Sequence, residues 1–244
     1  QQLSSGSNPS DRYNLAIMKR TLVIAAAIIF AASLTPAVSA APKEPVKKCT
    51  KATSKPHASP SIAQPKTIAK VLPNTFTFIT NCGNIVVETV GDKAPQTLTA
   101  LATLASKGFY NATLCHRLTT QGLYVLQCGD PTATGTSGPF FNRKPWTGIP
   151  DENLPVGQSI TYPAGTLAMA NSGKNTNGSQ IFFVYEDSAL NPYYTVWGRI
   201  TSGLETLKAI AAAGAAKQGQ DGKYYYNGDG FPIQTVEIRR VIVR

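Results

Sequence analysis

Three stretches of the chain carry residue types whose chemistry could act together. Cys115-His116-Arg117-Leu118 sets an arginine in a short, mostly apolar segment. Its guanidinium is permanently charged and presents several hydrogen-bond donors in a fixed plane. Shortly after comes Gly122-Leu123-Tyr124-Val125-Leu126-Gln127-Cys128-Gly129-Asp130, an apolar run interrupted by one glutamine. The third stretch, Gly165 to Phe182, reads GTLAMANSGKNTNGSQIF. Asn, Gly and Ser compete with helical hydrogen bonding, and strands are depleted of Asn and Gly. A loop this polar, running into Ile181-Phe182-Phe183-Val184, implies a rigid surface of backbone and amide groups beside an apolar pocket. Such a surface suits an extended peptide.

Other chemistries fit less well. A hydrolase would need an activated nucleophile, yet no G-x-S-x-G occurs and His116 is the only histidine after residue 75. His116 reads as a hydrogen-bonded core residue without an acid/base role. Zinc held by Cys82, Cys115, Cys128 and His116 lacks any C-x-x-C spacing, and no metal is expected. Neighbours Cys115 and His116 would also face opposite sides of a strand. Taken alone, Arg117 would be a solvated or ion-paired strand residue, and Phe182 and Leu190 would be core. Gln180 could merely satisfy buried backbone. Tyr224-Tyr225-Tyr226 reads as an aromatic cluster flanking a turn.

The elements that must position these stretches are mostly short strands. Thr75–Thr80 alternates polar and apolar residues, and Ile85–Glu88 answers it as a hairpin. Pro95 opens a helix with Leu98, Leu101 and Ala105 on one face, closed by Lys107 and Gly108. Strands are expected around 115–118, 124–127, 166–170, 181–185 and 195–200. A second helix is expected from Ser202, with Glu205 completing a capping box. Leu204, Leu207, Ile210 and Ala211 form its stripe, and Gly214 ends it. Val236, Ile238 and 241–243 give a last strand. Many strands with two isolated helices and no βαβ alternation imply a mainly β fold, an antiparallel barrel or sandwich.

The order and spacing of these motifs along about 170 residues resembles the cyclophilin family of peptidyl-prolyl cis/trans isomerases. The resemblance implies a closed eight-stranded antiparallel barrel capped by two α-helices over residues 75–244. It also implies a reaction that needs no cofactor. The barrier to X–Pro rotation is amide conjugation, ~18–20 kcal/mol, and a catalyst must weaken it while gripping the ring. Arg117 matches the family's catalytic arginine, and Gln127 the glutamine that orients it. Tyr124, Val125, Phe182 and Leu190 match the proline pocket. Ala170 and Asn171 match the residues that bind the peptide backbone, and Gln180 lines the same groove. Tyr194 stands where many members carry His. Tyr124 replaces the usual Phe, Val125 replaces Met, and Ala189 stands where drug-sensitive members carry Trp. Weak cyclosporin binding is therefore expected. The loop Thr119-Thr120-Gln121 is one residue longer than the common Pro-containing turn, and Phe140–Trp146 departs from the usual Gly-rich loop.

Charge and export signals complete the reading. The formal net charge is +10, but residues 41–74 hold seven Lys against one Glu. The domain is nearly neutral. This basic stretch, rich in Pro, Ser, Thr and Ala, reads as a disordered linker that could contact anionic wall polymer or membrane. It lacks aromatics, so nucleic-acid binding is not expected. Met18-Lys19-Arg20, the apolar run Leu22–Leu34 and Pro36–Ala40 read as a signal peptide over 18–40. The run is shorter than the roughly 20 residues of a membrane span, with an uncleaved anchor as the alternative. Residues 1–17 read as an upstream segment without a role. A secreted or cell-surface location follows, where disulfides persist. Cys49 is expected to stay apart from Cys82, Cys115 and Cys128, which leaves either one pair and a thiol or three thiols. A monomer acting on proline-containing polypeptides is the leading reading. A non-catalytic peptide-binding module, or a polyanion-binding surface protein acting through its tail, are the alternatives.

Overall fold

Alternation along the first strands decides which residues enter the barrel. In β1 (Thr75–Thr80) Phe76 and Phe78 point inward, and in β2 (Gly83–Thr89) Ile85 and Val87 do the same. The computed structural model of the chain describes residues 48–157 and 160–244. The upstream segment, the signal peptide and the start of the linker lie outside the described residues.

The elements follow in order. α1 is Pro95–Ser106, β3 Thr113–Leu114, β4 Arg117–Thr119, β5 Val125–Cys128, β6 Phe140–Phe141 and β7 Lys144–Pro145. Then come β8 Ile160–Tyr162, β9 Thr166–Met169, β10 Ile181–Val184, β11 Ser188–Leu190 and β12 Val196–Ser202. α2 spans Leu204–Ala212, followed by β13 Ala215–Gln218, β14 Tyr224–Asn227, β15 Asp229–Pro232 and β16 Glu237–Val243.

The strands close into the expected eight-membered ring. Antiparallel pairing runs β16–β1–β2–β12–β9–β10–β5–β4. The bent segment 113–119 joins the two ends. Its first half, β3, pairs with β16, and its second half, β4, pairs with β5. Between them Cys115 N–H donates to Val236 O and His116 N–H to Gln127 O. β13, β14 and β15 form an extension that joins the barrel through β15 and β4.

Inside, Phe76 meets the edge of Trp197 and Phe78 that of Phe183, with ring centroids 5.3 and 5.2 Å apart. Both helices bury apolar faces in this core, α1 through Leu98, Leu101 and Leu104, α2 through Leu207 and Ile210. α1 begins at Pro95 as expected, and its free N–H groups at Gln96 and Thr97 donate to Glu152 at 3.0 and 2.8 Å. A carboxylate there also complements the helix dipole. The expected capping box at Ser202 does not form. Ser202 ends β12, and Gly203 turns the chain at φ 98° with no side-chain cap on α2. A Cβ at Gly203 would lie 2.6 Å from Asn84 O, so the turn needs glycine.

Two expectations about the N-terminal stretch are corrected. Residues 48–74 are not a disordered linker but a strap laid on the barrel. Cys49 is not separate, since it forms a disulfide with Cys82, and Cys115 pairs with Cys128. Asn81 exchanges hydrogen bonds with Thr50. The buried Glu237 carboxylate accepts from Thr53 N–H at 3.1 Å, from its hydroxyl at 3.2 Å and from the Ser54 hydroxyl. Further on, Ser61 bridges Phe140, Ile62 is buried, and Thr89 donates to Pro73 O at 2.7 Å. The strap lacks apolar periodicity because one covalent anchor and polar side chains hold it, rather than an apolar face.

Candidate functional site

The apolar run in β10 has two buried faces. Ile181 and Phe183 enter the barrel core, while Phe182 and Val184 face a smaller outer cluster with Val125, Ala168 and Tyr162. β5 alternates in the same way, with Leu126 and Cys128 inward and Val125 and Gln127 outward. The barrel wall thus becomes the floor of a second, shallow core open to solvent.

That outer face holds a cavity of about 200 Å³ lined by Leu123, Val125, Phe182, Leu190 and Tyr194, with Arg117, Gln127, Ala170 and Asn171 on its rim. Eight of the ten residues expected from sequence meet here. Phe182 and Tyr194 stand edge to face, centroids 5.4 Å apart. Beneath them lies Tyr162, which sequence reasoning missed. It is 1% exposed, and its hydroxyl donates to Asn191 O at 3.2 Å. Burial pushes that phenol up to about 12, so it remains a neutral donor.

Tyr124 is a correction. It packs against the barrel core and meets Tyr185 edge-on at 6.0 Å. The cavity is lined instead by its two neighbours, Leu123 and Val125. The signal was present in the alternation Leu123, Val125, Gln127.

Gln180 lies on the wall of a larger groove of about 690 Å³, which shares Gln127, Ala170 and Asn171 with the pocket. Its amide donates to Gly135 O and Ser137 O at 3.0 and 2.9 Å, and its oxygen accepts from Gln127 at 2.8 Å. Asp130 shapes the same loop. Burial opposes its ionisation, but hydrogen bonds from Thr132, Ser137 and Thr134 outweigh it and hold the carboxyl below its usual range. The far wall carries Trp146 and Arg143 on the β6–β7 hairpin, the segment that departs from the common loop. The strap supports that wall: Ile62 N–H donates to Phe140 O at 2.8 Å, and Trp146 Nε1 donates to Ile62 O at 2.7 Å.

Arg117 and Gln127 face each other across β4 and β5, but the glutamine does not hold the arginine. Its amide is committed to Gln180. Arg117 is instead gripped by Asp229, through Nε at 2.8 Å and Nη2 at 2.7 Å. The hydrogen bonds from Arg117 keep the Asp229 carboxyl below its ordinary range, and those to Asp229 raise the arginine. Asn171 Nδ2 donates to Tyr193 O at 2.8 Å, and Ala170 N–H donates to Gln180 O at 2.9 Å, which sets the rim. His116 is buried, as expected, with the Gln180 side chain and the Asp130 carboxylate close enough to favour its charged form. Burial lowers its pKa, so it sits as neutral imidazole.

The chain is similar to known proteins in sequence and in fold. The profile of the family described as "Cyclophilin type peptidyl-prolyl cis-trans isomerase/CLD" matches residues 75–243. A probable peptidyl-prolyl cis-trans isomerase B of Mycobacterium tuberculosis is 47% identical over 154 residues, covering 61% of this chain and 50% of that protein. The Mycobacterium leprae counterpart is 46% identical over 180 residues, covering 72% and 59%. The chain thus spans about half the length of these curated relatives. Among solved structures, a cyclophilin type peptidyl-prolyl cis-trans isomerase from Cryptosporidium parvum superposes with a TM-score of 0.54 at 26% identity, over 70% of this chain and 98% of that one. That protein has also been solved in the presence of the dipeptide Ala-Pro.

Proposed function

Because the chain belongs to the cyclophilin type peptidyl-prolyl cis-trans isomerase family, we propose that it accelerates X–Pro isomerisation in exported polypeptides, with Arg117 acting at the prolyl amide. The observation that carries this reading is the placement of Arg117 on the rim of an apolar cavity walled by Val125, Phe182, Leu190 and Tyr194. The cavity is of a size to hold a pyrrolidine ring. Rotation about the X–Pro bond removes conjugation and leaves the prolyl nitrogen pyramidal, with a free lone pair. A guanidinium N–H pointed at that nitrogen favours the twisted state over either planar isomer. Such differential binding is what lowers a barrier.

The guanidinium has five N–H donors. Asp229 engages two of them, so the others remain for the substrate's amide and carbonyl. Asn171 and the backbone at Ala170 hold the flanking chain, while the preceding residue swings in the groove. Neither nucleophile nor base is required, in keeping with a neutral, buried His116.

Export rests on the signal-like segment 18–40 and on the two disulfides. Contact with anionic wall polymer or lipid is supported by Lys48, Lys51 and Lys55, which stay exposed although the strap is ordered. Cyclosporin is expected to bind weakly, since Ala189 offers only an exposed methyl group on β11.

Arg117→Ala tests the central reading by exchange kinetics of an Ala-Pro tetrapeptide. Loss of a single transition-state donor typically costs about 10²-fold, and a fall of that order in kcat/KM is expected. A folded wild-type chain that fails to accelerate exchange would leave a peptide-binding module instead.

A further inference from the structure

Asp229 lies 112 residues from Arg117 in sequence, yet the fold aims it at the guanidinium. β15 pairs with β4 so that Asp229 stands opposite Thr119. Thr119 and Arg117 are two apart and share a face of β4, which makes Asp229 and Arg117 diagonal neighbours across the ladder. Two further bonds fix the carboxylate's backbone: Asp229 N–H donates to Asn227 Oδ1 at 3.3 Å, and Thr120 N–H donates to Gly228 O at 2.8 Å.

The pair is solvent-exposed, with side chains 39% and 53% accessible. Ion pairs this exposed contribute little to stability. Their geometry is another matter. A two-point grip on Nε and Nη2 fixes the plane of the guanidinium, which a single bond would leave free to turn. Gln127, the alternative partner, is occupied by Gln180. The charge of Asp229 would by itself weaken the field of Arg117, but Lys217 on β13 acts on the same carboxylate.

We propose that Asp229 is a positioning residue of this isomerase, holding one edge of the Arg117 guanidinium so that the other faces the proline pocket. The inference rests on the reading of Arg117 given above. It assigns to a residue of the β13–β15 extension the orienting role expected of Gln127.

The test is a double-mutant cycle in the full chain, with D229A, D229N, R117A and R117A/D229A compared by exchange kinetics and thermal unfolding. Misplacing a reacting group by about 1 Å can cost about 10²-fold, and loosening one edge of the guanidinium is a smaller displacement. D229A should lower kcat about tenfold with KM nearly unchanged, and D229N, which keeps one acceptor, about threefold. D229A should cause no further loss in the R117A background, because the residue acts only through the arginine. D229N preserves the side chain's shape and carries the same comparison if D229A unfolds. If R117A is impaired while D229A and D229N match the wild type, the positioning role is overturned and the Arg117 reading stands. Equal losses in both backgrounds would mark a structural effect and also overturn it. A fully active R117A would remove both readings.

Discussion

Cys115 and Cys128 are joined by a disulfide whose two ends sit close to the residues of the site: Cys115 two positions before Arg117, Cys128 one after Gln127. The bond crosses from the bend before β4 to the end of β5, at the point where the ring of strands closes. It ties together the two strands whose outward faces carry Arg117, Val125 and Gln127 at the apolar cavity.

Replacing both cysteines with serine should therefore lower stability and activity together. The closed loop has a sequence separation of 13, for which chain entropy gives about 3 kcal/mol. That corresponds to a fall in Tm of roughly 6–12 °C for a domain of this size. Differential scanning calorimetry measures the first effect. Exchange kinetics below the new Tm measures the second, and the loss should be smaller than that of R117A, since the strands remain paired.

Leu123 and Tyr124 are neighbours with opposite duties, and mutation should separate them. L123A removes a pocket wall and should lower kcat/KM about tenfold, the order expected for losing two or three buried methyl or methylene contacts with a ring. Y124F leaves the ring against Tyr185 and should stay within about twofold of the wild type, because only a hydroxyl away from the pocket is lost. Steady-state kinetics on one proline tetrapeptide compares the two. The reverse ranking would place Tyr124 in the pocket.

Glu237 should make strap docking sensitive to acid. Burial opposes its ionisation, yet hydrogen bonds from Ser54 and Thr53 outweigh this and depress the carboxyl. A carboxyl depressed by the folded state stabilises that state above its ordinary value. The contribution is lost as pH falls below about 4.3 and through the depressed value. Amide exchange at residues 50–54 should accelerate there, before the barrel opens, while Cys49–Cys82 retains the strap. E237Q should bring faster exchange at neutral pH, at a cost on the order of 2 kcal/mol for the weakened bonds.

Local signals made much of this molecule legible in advance. Pro95 and Gly108 bracket α1, and alternation in Thr75–Thr80 gives an inner face. The resemblance carried by the motifs around Arg117 and Phe182 pointed to eight residues that the fold brings to one cavity. Where a signal was non-local, it was invisible. The grip of Asp229 on Arg117 and the bonds of Glu237 to the strap join residues more than 100 apart, through pairings that no spacing encodes. The pairing of Cys49 with Cys82 escaped notice because a Lys- and Pro-rich composition resembles disorder, whereas a covalent anchor and a few polar contacts suffice for order. The expectation for Tyr124 was different in kind, since the alternation Leu123, Val125, Gln127 that lines the cavity was already visible in the sequence. Ser202 and Glu205 had the spacing of a cap, but β12 claimed Ser202 first.

The wall formed by Trp146 and the β6–β7 hairpin is a joint product of two pieces of chain, because Ile62 of the strap braces it from outside the barrel. The strap, residues 48–74, lies outside the stretch matched by the family profile, and it contributes no residue to the apolar cavity beside Arg117. In descent, then, selectivity and turnover need not move together. Under the function proposed above, insertions or exchanges between residues 56 and 66 would reshape the groove wall while the barrel and its apolar cavity are inherited intact. Two relatives with identical pockets could in this way serve different clienteles.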